Sequence, residues 1–278
     1  MIMKFMHMSL LLAACMAAGC NATGSSSGAQ GRPGTDASTA TVAVADTFAT
    51  PSGKKIVITP IKHGSLEINY NGLEFQIDPV GKGVEPATDY SRFRKADYIL
   101  VTHEHFDHLD PAAITAVSKP STVLVTNARC AAKLGQGTVM KNGDRRTLAP
   151  GITVEAVPAY NTTPGHTQFH PKGRDNGYVL GLDGFNIYIG GDTEDIPEMA
   201  RLKNIDVAFL PVNQPYTMTP IQLRRAAIMV HPRVLYPYHY GLADTATIRE
   251  ELKGLKLDLR LRNFKCCLLY TSPSPRDS

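Results

Sequence analysis

Four potential metal ligands fall within six residues, His103-Glu104-His105-Phe106-Asp107-His108, and three of the chain's nine histidines are packed into this one turn. The run before it, Ala96-Asp97-Tyr98-Ile99-Leu100-Val101-Thr102, has the pattern of a buried strand entering a turn. A strand that ends in a ligand-dense loop is how a rigid scaffold presents side chains to a metal ion. Imidazole nitrogen suits zinc, and carboxylate oxygen also suits harder cations such as manganese or iron. The competing reading is an ordinary solvated loop. The crowding of imidazoles into so short a stretch argues against it.

The two ends of the chain differ in composition from the middle. Residues 1–20 carry a lone Lys4, then an apolar stretch of Met, Leu and Ala with no acid. This is the pattern of a signal peptide, too short to span a membrane as a helix. Two cysteines follow small residues there. Cys15 has the better lipobox spacing, whereas Cys20 leaves a more usual hydrophobic length and leads directly into a polar stretch. The expectation is a lipid-anchored or secreted protein on the extracytoplasmic side of a bacterial membrane, with Cys20 the preferred anchor. Residues 21–53, poor in apolar mass and rich in Gly, Ser, Thr and Ala, are expected to form a flexible tether. At the far end, residues 266–278 resemble translated sequencing-adapter read-through joined to a gene fragment, and they are set aside from the fold on that ground. A native Ser/Pro tail is the alternative.

Residues 54–265 fit one domain with a substantial core. The net charge of +4 comes without a dense Lys/Arg run, so a nucleic-acid partner is not implied. Cys130 is the only cysteine clear of both ends, which excludes a disulfide framework and a cysteine zinc site. Strands are expected at 55–59, 65–70 and 73–77, with Asn71-Gly72 as a hairpin turn, and further strands at 122–126, 152–159, 178–182, 185–189, 206–210, 234–236 and 257–261. Helices are expected at 111–117, with Asp110 as cap and Pro111 in first position, and at 127–134, 196–202, 219–230 and 244–252. Each half has strands first and helices later, which allows two sheets face to face with helices outside.

Further ligand candidates stand at strand ends. Asp192 follows Ile187-Tyr188-Ile189-Gly190-Gly191, where paired glycines let the backbone approach something closely. Its carboxylate could bridge two cations or cap the next helix. His239 follows the strand at 234–236 in an aromatic patch, Tyr236-Pro237-Tyr238-His239-Tyr240. His231, before Pro232, has the setting of a surface residue at a helix end. The loop 160–177 holds His166 and His170, and spacing alone does not choose between them.

These motifs resemble the metallo-β-lactamase-fold hydrolase superfamily over nearly all of residues 54–265. His-x-His-x-Asp-His is highly specific, and the Gly-Asp-Thr and Tyr-His-Tyr-Gly pieces follow in the right order. The nearer likeness is to the branch of ascorbate-6-phosphate lactonase-like and N-acylphosphatidylethanolamine phospholipase D-like enzymes. It is carried by Asn161, His170-Pro171-Lys172-Gly173, the run from Gly190 to Met199, and Tyr216-Thr217-Met218. The resemblance implies an α+β fold, a four-layer αββα sandwich of two mixed sheets with helices outside and metals at one edge. It implies that His103, His105 and His170 hold one metal, that Asp107, His108 and His239 hold a second, and that Asp192 bridges them. His166 sits in Pro164-Gly165-His166-Thr167, a motif of other branches. The expected cofactors are two divalent ions, zinc before manganese or iron.

Two cations can hold a water between them, lower its pKa toward ~7 and stabilise an oxyanion, so the resulting hydroxide attacks a carbonyl or phosphoryl centre. Asp107 is expected to orient that hydroxide, and His63 to act as an acid or a substrate contact. Asp78 and Asp110 are candidates either to fix imidazole tautomers or to form turns and caps. No Gly-x-Ser-x-Gly nucleophile turn is present within residues 54–265. The expected activity is hydrolysis of a lactone, another ester or a phosphodiester, with a small-molecule or lipid-derived substrate. A non-catalytic metal-binding protein on the same fold is the alternative, and the intact ligand set argues against it.

Overall fold

The computed structural model describes residues 44–241 and 243–264, together with the backbone of 267–268. The leader, both candidate anchor cysteines, the tether up to residue 43 and nearly all of the segment 266–278 lie outside these residues.

Two seven-stranded sheets carry the domain. The first contains β1 (Asp46–Ala49), β2 (Lys55–Lys62), β3 (Ser65–Tyr70), β4 (Leu73–Ile77), β6 (Tyr98–Leu100), β7 (Val123–Thr126) and β8 (Thr138–Val139), in the order β1-β2-β3-β4-β6-β7-β8. The second contains β9 (Arg145–Ala149), β10 (Ile152–Ala159), β11 (Asp175–Leu182), β12 (Phe185–Ile189), β13 (Val207–Pro211), β14 (Val234–Tyr238) and β15 (Asp258–Leu259), in the order β15-β14-β13-β12-β11-β10-β9. The short β5 (Val84–Glu85) pairs with β16 (Cys267–Leu268), the one part of the 266–278 segment that is described. Helices α1 (Pro111–Val117), α2 (Ala128–Leu134), α3 (Pro220–Val230) and α4 (Thr245–Glu251) complete the chain.

Period-two burial explains the stacking. In β2, Ile56 and Ile58 turn inward while Lys55 is exposed and Val57 and Thr59 are half-buried, and in β3 Leu66 and Ile68 flank the half-buried Glu67. These side chains join Phe75, Ile77 and Leu100 in one core with Val154, Leu180, Ile187 and Phe209 of the second sheet. β13 and β14 are buried at every position, because Leu223, Ala226 and Val230 of α3 and Ile248 of α4 join the same core. On the first sheet's outer face, Ile99 and Val101 pack with Ala113, Ile114 and Val117 of α1 and Cys130 of α2. The result is the four-layer αββα sandwich.

Strand direction fixes where the loops emerge. β4 runs parallel to β6, and β2 is related to β4 through the antiparallel β3, so β2, β4 and β6 all end at one edge. β12, β13 and β14 are mutually parallel. β10 and β11 are antiparallel, so the loop 160–174 joining them lies where β12 ends.

Three sequence expectations need correction. The tether does not extend to residue 53. Asp46–Ala49 is an edge strand paired with β2, held by contacts far away in sequence. Asp46 accepts hydrogen bonds from Tyr236 and Arg262 and pairs with Arg260, while Phe48 meets Phe185. The expected helix at 196–202 is a 3-10 turn, Pro197–Arg201, capped by no side chain, so Asp192 does not serve as its cap. The last strand shrinks to Asp258–Leu259, and β9 has no counterpart among the expected strands. The remaining helix signals act as expected. Asp110 accepts from Ala112 and Ala113 backbone N–H groups, and Thr219 with Gln222 forms a capping box.

Gly191 sits in the left-handed region (φ 64°), and a Cβ there would lie 2.9 Å from the Asn176 carbonyl oxygen. Gly53 is also left-handed (φ 84°) but faces open space. Strain and overlap together should cost Gly191→Ala about 3 kcal/mol, against about 1 kcal/mol for Gly53→Ala. Equal losses in urea unfolding would show that the close approach at Gly191 does not matter.

Candidate metal centre

Four strand ends at that edge deliver side chains to one point. β6 leads into His103, His105, Asp107 and His108; β12 leads through Gly190 and Gly191 to Asp192; β14 leads to His239; β2 leads to His63. His103 and His105, two apart on an extended segment, face the same way: His103 Nε2 lies 3.1 Å from His105 Nδ1. Glu104, between them, turns away to Arg129 (2.8 Å). The backbone then turns, with the His108 and Leu109 N–H groups donating to the His105 carbonyl, and this swings Asp107 and His108 to the other side.

Three sets of donor atoms converge within 4.8 Å of one another: His103, His105 and His170; His63, Asp107, His108 and His239; and His103, His108 and Asp192. Asp192 stands at the middle. Its Oδ2 is 3.1 Å from His239 Nε2, 3.4 Å from His170 Nε2 and 3.9 Å from His103 Nε2, and its Oδ1 is 3.3 Å from His108 Nε2. Asp192 is 2% exposed, and His103, His108, His170 and His239 are no more than 1% exposed. Only His105 and Asp107 open toward solvent, with Phe106 between them 60% exposed. His170, rather than His166, belongs to this cluster. His166 points toward Glu194, with Nδ1 3.7 Å from Oε1.

The hydrogen bonds behind the cluster assign its tautomers. The Thr102 hydroxyl donates to Asp78 Oδ2, so His103 Nδ1–H donates to Thr102 Oγ1 (3.0 Å). His108 Nδ1–H donates to Asp78 (2.8 Å) and His170 Nδ1–H to Asp175 (3.0 Å). With Nδ1 bonded outward in all three rings, Nε2 is the atom each aims inward. His105 presents Nδ1 instead, and its Nε2 faces Arg174 at 3.5 Å. Asp78 is thus an orienting carboxylate. Asp110 is a helix cap that also accepts from the Gly81 N–H. The sequence reading missed Thr102 and Asp175. The salt bridge of Arg174 to Asp175 was visible only as adjacent opposite charges.

His63 is 1% exposed, donates to Asp107 Oδ2 at 2.9 Å and lies 3.7 Å, ring to ring, from His239. It stands behind Asp107 and is enclosed from solvent. Gly64 makes room for this: a Cβ there would lie 2.6 Å from His108 Cε1. His63, Asp78 and His239 all have left-handed backbone (φ 47°, 43° and 51°), a sideways turn immediately after a strand.

Charge follows from this crowding. Burial opposes ionisation of Asp192, yet His239 and His108 hold its carboxyl well below the usual range. Asp107 is likewise depressed against burial by His239 and His63. Burial and the neighbouring His239 pull His63 down to about 4. Burial lowers His239 too, but Asp192 and Asp107 outweigh it and push this ring up to about 9. His103 falls well below its ordinary value through burial and the adjacent His108. The buried His108 Nε2, His239 Nε2 and Asp192 Oδ1 have no hydrogen-bond partner. Such inward-facing donor atoms, imidazole nitrogen with carboxylate oxygen, fit divalent cations.

The comparisons with known proteins agree. A model of the β-lactamase superfamily domain matches residues 57–239. The UPF0173 metal-dependent hydrolase of Caldivirga maquilingensis is 30% identical over 183 residues, covering 64% of this chain and 79% of that protein. A solved structure from Parabacteroides distasonis, provisionally described as a metal-dependent hydrolase, is 53% identical with a TM-score of 0.76, covering 80% of this chain and 99% of that one. Igni18, a metallo hydrolase of Ignicoccus hospitalis, shares the fold at 24% identity and a TM-score of 0.63, over 74% of this chain and 94% of its own. With a strand-edge cluster of buried His and Asp and a family match over most of the domain, this chain belongs to the metallo-β-lactamase superfamily and is a metal-dependent hydrolase.

Proposed function

We propose that the centre is dinuclear, with His103, His105 and His170 holding one cation, Asp107, His108 and His239 the second, and Asp192 between them. The observation that carries this reading is the Asp192 carboxylate, which has four imidazole Nε2 atoms within 3.1–3.9 Å, brought in by three separate chain segments. One carboxylate cannot satisfy that many inward-facing donors, whereas two cations on either side of it can. When bound, two such ions supply Lewis acidity and a water acidified toward ~7. Zinc suits the nitrogen-rich donor set best.

The protein's own groups then divide the work. Asp107 is the carboxylate of the cluster nearest solvent, where it would orient an attacking water and accept its proton. His63 holds the Asp107 carboxylate in place by the Nε2–H hydrogen bond, and its burial gives it this supporting role rather than direct substrate contact. Thr102, Asp78 and Asp175 keep three imidazoles in the tautomer that faces inward. The substrate is a small molecule with an electrophilic carbonyl or phosphoryl centre: a lactone, another ester or a phosphodiester. The apolar leader and the polar stretch that follows it, residues 1–43, support an extracytoplasmic, lipid-anchored enzyme, a location that suits a membrane-derived phosphodiester.

Chelation of the purified chain should abolish turnover of whichever substrate in a lactone, ester and phosphodiester panel is active, and zinc should restore it. Asp107→Ala should lower kcat by about 10²–10⁴-fold; full turnover by that variant would sink the mechanism. His170→Ala should release one metal equivalent by elemental analysis, while His166→Ala should keep both; the reverse result would exchange their roles. Fractionation of cells making the full chain should place it with the membrane after labelling of Cys20, and Cys20→Ala should release it. A chain that stays in the cytosol would refute the location.

A further inference from the structure

We propose that Glu194 is a positioning residue that sets the metal affinity of the His103/His105/His170 half of the centre. It does so by seating the loop that carries His170 against the strand end that carries Asp192. The inference rests on the dinuclear reading above.

Glu194 has no exposed surface, yet its Oε2 accepts four hydrogen bonds from the start of that loop. They come from the Thr162 and Thr163 N–H groups (2.8 and 2.7 Å) and the Thr162 and Thr163 hydroxyls (2.8 and 2.9 Å). Its Oε1 accepts from Asn161 Nδ2 at 3.3 Å. A carboxylate so buried is stable only when its lone pairs are filled in this way, so the bonds and the burial depend on each other. The zipping continues along the backbone. Glu194 N–H donates to the Tyr160 carbonyl, and the Asn161 N–H donates to the carbonyl of His170 itself, both at 2.9 Å. Glu198 adds a second grip, taking the Tyr160 hydroxyl at 2.9 Å and Lys172 at 3.0 Å.

The path from Glu194 to the centre is therefore short in both directions. Two residues back along its own segment stands Asp192; one backbone hydrogen bond from Asn161 stands His170. These are the two residues whose side chains meet at 3.4 Å. The other half of the centre has separate supports: His63 behind Asp107 and Asp78 behind His108. Asp192 is also fixed from β13, where the Phe209 carbonyl accepts from the Gly190 N–H at 2.9 Å, whereas the loop of His170 leans on Glu194; loss of Glu194 should therefore act on one cation and not on both.

The test is calorimetric titration of Zn²⁺ into the chelator-stripped full chain, with visible absorption of the Co²⁺-loaded protein as a second readout. Wild type should take up two ions. Glu194→Ala should weaken one site by about 10–100-fold and leave the other within about twofold. In its Co²⁺ titration one of the two wild-type spectral increments should be kept and the other shifted to higher Co²⁺ concentration. Glu194→Gln, which keeps an oxygen at the Oε2 position, should hold both ions within about threefold of wild type. If circular dichroism shows Glu194→Ala unfolded, Thr162→Val with Thr163→Val decides instead, since it removes two donors and should weaken the same single site. Equal weakening of both sites, or none, in the folded variant overturns the proposal alone. A wild-type chain that binds fewer than two zinc ions overturns the dinuclear reading beneath it, and the proposal with it.

Discussion

A carboxylate buried among imidazole lone pairs is an unstable arrangement unless positive charge lies between them. Asp192 is in that position. Burying an ion costs several kcal/mol, recovered only by close counter-charge or well-aimed hydrogen bonds. Its neighbours His103, His108 and His170 each bond outward through Nδ1, to Thr102, Asp78 and Asp175, and so turn Nε2 toward Asp192. Protons can relieve this conflict in part, as the raised pKa of His239 indicates. Divalent cations relieve it more completely, because one ion satisfies several lone pairs at once. The metal dependence of the family is thus written into the hydrogen bonds behind the cluster as much as into the residues facing it.

The sandwich makes such a cluster attainable. Ligands separated by more than a hundred residues meet because two sheets end their parallel strands at the same edge, and each contributes loops that need only be short. The glycines at 64 and 191 let backbone and rings approach to distances that any side chain would block. The long loop 160–174 is the exception, and it is the one that must be fastened from outside, by Glu194 and Glu198.

How much of this was legible in the sequence depends on how local the signal is. The turn at residues 103–108 carries its own pattern, and Asp192 and His239 repeat the strand-then-ligand motif, so the structure brings together residues that could be named beforehand. The choice between His170 and His166 was not local. It is made by Asp175, five residues on, and by Glu194 in the segment that follows β12. Asn161, Glu194 and Tyr216, noted as separate family marks, turn out to be joined: Asn161 Nδ2 bonds both Glu194 and the Tyr216 carbonyl. The strand at 46–49 was missed for the same reason. Its composition is that of a linker, and it is ordered by Arg260, Arg262 and Tyr236 near the other end of the domain.

The three left-handed residues His63, Asp78 and His239 show what this geometry demands of the backbone. Each non-glycine residue in that region costs about 1 kcal/mol, so the three together offset a noticeable share of the ~5–15 kcal/mol that holds a typical domain folded. Glycine would remove the tension at each position and would also remove the side chain. The enzyme thus carries backbone strain at the very edge that presents its ligands, and the packed sheets behind that edge must hold it.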